Sequence, residues 1–394
     1  MTDTAPPTTA RRPLKPSGTV HWIGAGLSTG SGLAALCERA DRVRLWHRTA
    51  DRAAGSLARL GLADRAEPRA YTLDALAAEL RPGDVVVSML PATEHGALLG
   101  LCIERRAHFA NSSYVSDDIV QRAPAAAEAA LVVLVESGLD PGLDHLFAHS
   151  LIARARAAVG DAPATAEFTS YCGGLPAVPN DFRYRFSWAP RGVLNALRTP
   201  ARYIDEGVPV TASRPWEATR PFTVDAEPFE VYPNRDSVPY IAQYGVPPSW
   251  TLTTFVRGTL RLDGWRRAWA PVFDELRHND EARLTALAGD LATRYPTTPD
   301  DRDRVVLIVD LKVRTEHDSW SGRYVLDMVG DRNESAMARC VSLPLANGVT
   351  EILEGALPPG LHRAAETPAR ADRWLENLAQ QGISYTLQEP TSDS

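Results

Sequence analysis

At 394 residues, 44% hydrophobic and 23% charged, the chain has the composition of a globular protein long enough for two or three domains. A net charge of -7 argues against a generally basic nucleic-acid-binding surface, and no apolar run reaches the length of a membrane-spanning helix. Cys37, Cys102, Cys172 and Cys340 form no CxxC cluster, which fits reduced thiols in a cytoplasmic protein and leaves no disulfide framework or metal site to expect.

Residues 1–17 are polar and proline-rich, lack the apolar centre of a signal peptide, and read as a flexible arm. The strand Val20, Trp22, Ile23 then enters a turn through Gly24, Ala25 and Gly26, followed by a small-residue helical face at Ala34–Cys37 and a second strand at Val43–Trp46. That order places backbone N–H groups and a helix N-terminus where a dinucleotide pyrophosphate docks. The fingerprint is incomplete, because Thr29 stands where a third glycine is expected and Gly30 comes one residue late. The second strand ends Trp46-His47-Arg48-Thr49, with no acid before Asp51 to accept ribose hydroxyls. Arg48 can instead pair with a 2′-phosphate, which points to NADP over NAD. The expected cofactor-binding residues are Gly24, Gly26, Leu27, Ser28, Thr29, Arg48, Thr49, Ser88, Leu90 and Pro91.

Helical patterns over Ala53–Leu62 and Leu73–Leu80 precede Val85-Val86-Val87, a buried parallel strand by its β-branched content. Two more short strands, at His108–Ala110 and Leu131–Val135, release the loops 111–114 and 136–145 at the same sheet edge as 88–91. Convergent polar loops of this kind build the site of a doubly wound fold. His95 reads as a surface or capping group, and Asp140 as a helix cap that can also serve as a site carboxylate.

Composition shifts near Asp161, where a strand at Ala166–Tyr171 leads into aromatics, turns and arginines. A short helix at Val193–Leu197, a β-rich run at Thr251–Leu260 and a helical section at Val272–Ala292 follow. A hairpin over Val305–Val313 and Tyr324–Met328 suggests a mostly antiparallel sheet with helices on one side. The helix from Ala336 to Leu353 carries interruptions at Pro344 and Gly348, and Trp374–Gln380 is a last amphipathic helix before a polar tail.

The blocks SSYVS (112–116), ESGLDPGLDH (136–145), SYCGGLPA (170–177), FSWAPRGVL (186–194), YPNRDS (232–237) and RGTLRLDGW (257–265) resemble the saccharopine reductases, the glutamate-forming saccharopine dehydrogenase family. The resemblance implies an α/β protein with a Rossmann NADP-binding domain at 18–157 and an α+β substrate-binding and dimerisation domain at 158–335. It also implies a segment, 336–394, whose helices return to the first domain, and a homodimer. The implied reaction oxidises saccharopine at its secondary amine and hydrolyses the imine to glutamate and 2-aminoadipate 6-semialdehyde. The family's tyrosine, aspartate, cysteine and arginine fall on Tyr114, Asp140, Cys172 and Arg235, with Asp144 one helical turn beyond Asp140 as the other candidate carboxylate. Tyr114, Asp140 and Cys172 are expected to be catalytic, and Arg235, Arg191, Asp144, Gly173 and Gly174 to bind substrate. Two alternatives stand beside this reading: an NADP-dependent dehydrogenase or reductase of another amino-carboxylate or polyamine adduct such as carboxynorspermidine, and a non-catalytic NADP-binding protein.

Overall fold

The structure is a computed structural model that describes residues 12–187, 189–278, 280–298 and 300–389. The chain divides into two compact units, residues 1–141 with 342–364, and residues 142–341 with 365–394.

In the first unit the apolar runs become the strands Thr19–Ile23, Arg42–His47, Glu67–Ala70, Val85–Ser88, His108–Asn111 and Val132–Val135, joined by Gly360–Arg363. Every pairing among them is parallel. Taken across the sheet, the order is 67–70, 42–47, 19–23, 85–88, 108–111, 132–135, 360–363. The order reverses between the first and fourth strands, so a crevice opens at their carboxyl ends. The strands 85–88 and 132–135 are buried at every residue because helices cover both faces of a parallel sheet. Phe109, Val133, Leu98 and Ile119 lie in that core.

The expected flexible arm ends sooner than residue 17. The Leu14 N–H donates to the Ala130 carbonyl at 2.7 Å, and the Leu14 carbonyl accepts from His108 Nε2 at 3.0 Å. The Ser17 hydroxyl donates to Asp84 at 2.6 Å. These bonds fasten residues 12–17 to the sheet, while the rest of the arm, 1–11, lies outside the described residues.

The second unit is built on a nine-stranded sheet, counted over the described residues, that is mixed in direction. Ala164–Pro176 and Trp250–Leu262 run parallel at its centre, and the remaining pairs are antiparallel, including the long hairpin Asp303–Arg314 with Ser319–Val329. Alternation along Trp250–Leu262 splits its side chains between two faces. Val256 and Leu260 join a cluster formed by strand residues such as Tyr171, Val306 and Ile308. The opposite face bears Arg257, Thr259 and Arg261 and is covered by helices, with Trp265, Trp269 and Phe273 packed around Tyr232.

Two expected boundaries move. The helix Leu143–Val159 belongs to the second unit, because its buried side packs on the hairpin and on the helix Pro368–Gln380. Ser150 donates to Asp372 at 2.8 Å across those two helices. The closing segment 336–394 does not return as a whole: residues 342–364 join the first unit and 365–394 the second, where Thr386–Gln388 extends the sheet at the Ser319–Val329 strand. The helix Ala336–Leu353 runs unbroken through Pro344 and Gly348, against expectation.

Candidate functional site

The glycine turn shows what each of its residues does. Gly24 has φ +100°, a conformation that side chains rarely adopt, and a Cβ there would meet Met89 at 3.3 Å. A Cβ on Gly26 would meet nothing within 4 Å, so the space above this peptide is open to a ligand. Thr29 is buried, and its hydroxyl donates to the Gly24 carbonyl at 3.2 Å, alongside the Trp22 indole N–H at 3.0 Å. It is therefore a strut inside the turn, not a group facing a ligand. The close-packing duty of the missing third glycine falls to Gly32, where a Cβ would lie 2.0 Å from the Ser342 carbonyl oxygen. The helix Ser31–Arg39 begins after Gly30 without a side-chain cap from Gly30; its Gly32 N–H donates to the Ser342 hydroxyl and its Leu33 N–H to the Gly30 carbonyl, both at 3.0 Å. Leu27, in the turn before it, is 58% exposed.

At the end of the second strand Arg48 and Thr49 are exposed, and the Thr49 hydroxyl caps the helix Ala50–Arg59 through the Arg52 N–H. Burial, then the charges of Arg48 and Arg52, hold the His47 imidazole below its ordinary range. Neither arginine forms an ion pair with a described residue. Open space over Gly26 and two unpaired cations at this strand end suit a dinucleotide carrying a 2′-phosphate. Arg52 escaped the sequence reading, although it lies on the first helical turn after Arg48.

The loop after Val85–Ser88 is shaped from within. The Ser88 hydroxyl accepts from the Leu90 N–H at 3.3 Å, and the Leu90 carbonyl accepts from His95 Nε2 at 3.0 Å. His95 Nδ1 accepts from the Asn111 amide at 3.2 Å, an orientation set by Asn111 Oδ1 accepting the Ser113 N–H. Burial lowers the His95 pKa to about 4, so the ring is neutral near pH 7. His95 is thus an internal tie between two strand-end loops, correcting the expected surface role.

Glu136 is buried and accepts the Val115 N–H at 2.9 Å, while a Cβ on Gly138 would press on Ser112 at 2.9 Å. The loops after the His108–Asn111 and Val132–Val135 strands are knitted together in this way. Their product is the Tyr114 hydroxyl donating to Asp140 Oδ1 at 2.7 Å, both residues half-buried at the carboxyl edge of the sheet.

In the second unit, Thr259 is in register with Cys172 and Arg257 with Ser170, which puts Cys172 on the helix-covered face beside Thr259. Gly173 allows close strand approach, since a Cβ would stand 2.3 Å from the Leu260 carbonyl, and Gly174 makes room for Met337 and Ser187. Packing alone accounts for both glycines. Asp144 is fully buried and engaged: Arg257 Nε donates to Oδ2 at 3.1 Å, Arg257 Nη2 donates to the same oxygen, and the Gly142 N–H donates to Oδ1 at 2.7 Å. Its carboxylate is therefore committed inside the unit, against the expectation of substrate contact. Arg191 is also displaced from its expected place, into a surface pair with Glu281 at 3.0 Å with 56% of its side chain exposed. Arg235 is half-buried on the Tyr232–Ser237 segment with φ +56°.

Arg261 is the cation that sequence reading missed. It is 5% exposed, lies on the strand face of Thr259, and has no carboxylate partner among the described residues. Its guanidinium carbon lies 4.9 Å from the Tyr184 ring, 5.7 Å from Tyr232 and 5.6 Å from Trp265. Nη2 donates to the Tyr232 hydroxyl at 3.1 Å, and buried Nε has no hydrogen-bond partner. The available signal was the spacing of Arg257 and Arg261, which places two cations on one face of an otherwise apolar strand.

The first unit's strand order and glycine turn, with a second mixed-sheet unit carrying a thiol and buried guanidinium groups, define a two-domain dinucleotide-binding protein. Family models match the chain over residues 20–134, as the saccharopine dehydrogenase NADP-binding domain, and over residues 138–383, as the saccharopine dehydrogenase C-terminal domain. The chain belongs to the saccharopine dehydrogenase family, and its first unit is the family's NADP-binding domain. It is 39% identical over 197 residues to a saccharopine dehydrogenase [NADP(+), L-glutamate-forming] of Pyricularia oryzae, covering 48% of this chain and 42% of that protein. It is 28% identical over 381 residues to the mitochondrial alpha-aminoadipic semialdehyde synthase of Bos taurus, covering 77% of this chain and 40% of that protein. The chain thus spans less than half the length of these curated relatives. The solved apo saccharopine dehydrogenase (L-Glu forming) of Saccharomyces cerevisiae matches with TM-score 0.79 and 25% identity, over 94% of this chain and 99% of that one.

Proposed function

We propose that this protein is an NADP-dependent oxidoreductase that interconverts saccharopine with L-glutamate and 2-aminoadipate 6-semialdehyde through an imine. The observation that carries the reading is the 2.7 Å Tyr114–Asp140 hydrogen bond on the sheet edge that a dinucleotide occupies in this fold. The Gly24–Ser28 turn, Arg48 and Arg52 would hold NADP, which when bound would supply a hydride acceptor for the carbon bearing the secondary amine. The protein's part is to bind, orient and move protons.

The pyrophosphate is assigned to the Gly24–Ser28 turn, where the space over Gly26 is open, and the 2′-phosphate to Arg48 and Arg52. The chain over Ser88–Pro91, tied by His95, supports the nicotinamide side. Tyr114 and Asp140 form a donor–acceptor pair that takes a proton from the secondary amine before oxidation and returns one to the leaving amine during imine hydrolysis. Saccharopine carries three carboxylates, so the second unit must offer cations. Arg235 is assigned to one of them from its place on the Tyr232–Ser237 segment, and Arg261 to another, since a buried guanidinium with no carboxylate partner among the described residues gains most from a carboxylate. Cys172 contributes a hydrogen bond from the same sheet face as Arg261.

The proposal takes the protein as a cytoplasmic homodimer, as the family resemblance and its free cysteines suggest; light scattering measures the assembly. The activity is tested by initial rates with saccharopine and NADP+, and in reverse with glutamate, the semialdehyde and NADPH. Turnover in both directions is expected. Intact NADPH binding without turnover in either direction would sink the substrate assignment.

A further inference from the structure

We propose that the buried Asp144–Arg257 pair is a positioning device that sets the Arg235 segment for substrate carboxylate binding. The inference rests on the reading of Arg235 as a carboxylate ligand. The segment from Asn234 to Ser237 begins and ends on one residue of the neighbouring strand. The Asn234 N–H donates to the Arg257 carbonyl at 2.9 Å, and the Arg257 N–H donates to the Ser237 hydroxyl at 2.9 Å. Between those ends the Arg235 carbonyl accepts from the Arg202 N–H at 2.9 Å, and the Ser237 N–H donates to the Arg202 carbonyl at 2.7 Å. Arg235 is held by these bonds at φ +56°, a backbone state that a non-glycine residue keeps only where its surroundings impose it. Displacing the backbone at Arg257 therefore moves both ends of the segment that aims Arg235.

What fixes Arg257 is its side chain. Its guanidinium lies over the Tyr240 ring, with the central carbon 4.1 Å from the centroid, and sends two N–H groups to one oxygen of Asp144. The other Asp144 oxygen accepts the Gly142 N–H, so the pair is seated on the N-terminal end of the Leu143–Val159 helix. A well-packed apolar pair would serve stability as well as a buried ion pair does, but it would not fix the direction of the fork. Direction is what a carboxylate clamp two residues from the segment's end requires.

The test is a double-mutant cycle on the full chain, with Arg257→Lys and Arg235→Ala singly and together. Arg257→Lys keeps the charge and loses the fork. It is expected to raise KM for saccharopine about tenfold with kcat and KM for NADP+ nearly unchanged, and to change KM by less than about twofold once Arg235 is alanine. The same KM multiplication in both backgrounds, or a loss of Tm with unchanged KM, overturns the proposal. Should Arg257→Lys fold poorly, Ser237→Ala enters the same cycle, because it removes only the hydroxyl that receives the Arg257 N–H. A normal KM in Arg235→Ala alone rejects the ligand reading itself, and is seen before the cycle is closed.

Discussion

Arg48 and Arg52 are exposed at the end of the second strand, and in the proposed 2′-phosphate role their effects should separate the two nicotinamide cofactors. Arg48→Ala is expected to weaken NADPH binding about ten- to a hundredfold, the worth of one or two charge-assisted hydrogen bonds, and to leave NADH nearly unaffected. Calorimetric titration with both cofactors measures this, and equal weakening would remove the 2′-phosphate contact. Arg261→Gln is expected to raise KM for saccharopine roughly tenfold or more while NADPH binding holds. An unchanged KM would leave Arg261 to its aromatic cage alone. Arg48 could be singled out from the sequence because it stands at a fixed place in a strand–turn–helix–strand unit. Arg261 was not, since the absence of a counter-ion is a property of its surroundings. The same holds for Thr29, whose strut bond to Gly24 exists only once the turn is closed.

At the scale of elements, two glycines in one turn and helix make opposite predictions. Gly26→Ala meets no protein atom within 4 Å, so the apo protein should keep its melting temperature while NADPH binding weakens. Gly32→Ala drives a methyl group into the Ser342 carbonyl, and unfolding should become easier by about 1–3 kcal/mol whether or not cofactor is present. Thermal melts with and without NADPH distinguish the pair. The buried valine strands and the 303–329 hairpin were legible because composition and length marked them. Glu67–Ala70, Gly360–Arg363 and Thr386–Gln388 were not: each is four residues or fewer, without alternation, and becomes a strand by pairing at a sheet edge. The hairpin Ala201–Asp205 with Val208–Ala212 also went unanticipated. In the Ala336–Leu353 helix, packing outweighs the local breaking tendency of Pro344.

For the whole molecule, histidine burial sets an acid limit. Burial is the first cause of the lowered pKa of His95 and His149, each brought to about 4, and of His108. The unfolded chain binds protons to these rings near pH 6.5, while the folded one resists them. Their contribution is therefore fully present above that pH and declines as pH falls below it; for His95 and His149 the decline runs toward pH 4, by up to about 1.4 kcal/mol per pH unit for each of the two rings. Melting temperature should drop across pH 6.5 to 4, and His95→Gln should flatten the slope. A slope unchanged in that variant would mean that His95 is not kept neutral by the fold.

By itself the sequence determined the doubly wound first unit, the glycine turn, and the family blocks that bear Tyr114, Asp140, Cys172 and Arg235, because these are encoded in contiguous residues. The tertiary structure decided where the units divide, since the helices Leu143–Val159 and Pro368–Gln380 pack together from opposite ends of the chain. It also decided which charges are committed and which remain available: Asp144 to Arg257, Arg191 to Glu281, and Arg261 to no carboxylate among the described residues. Charge partnership is a matter of distance in space, and neighbours in the sequence carry no record of it.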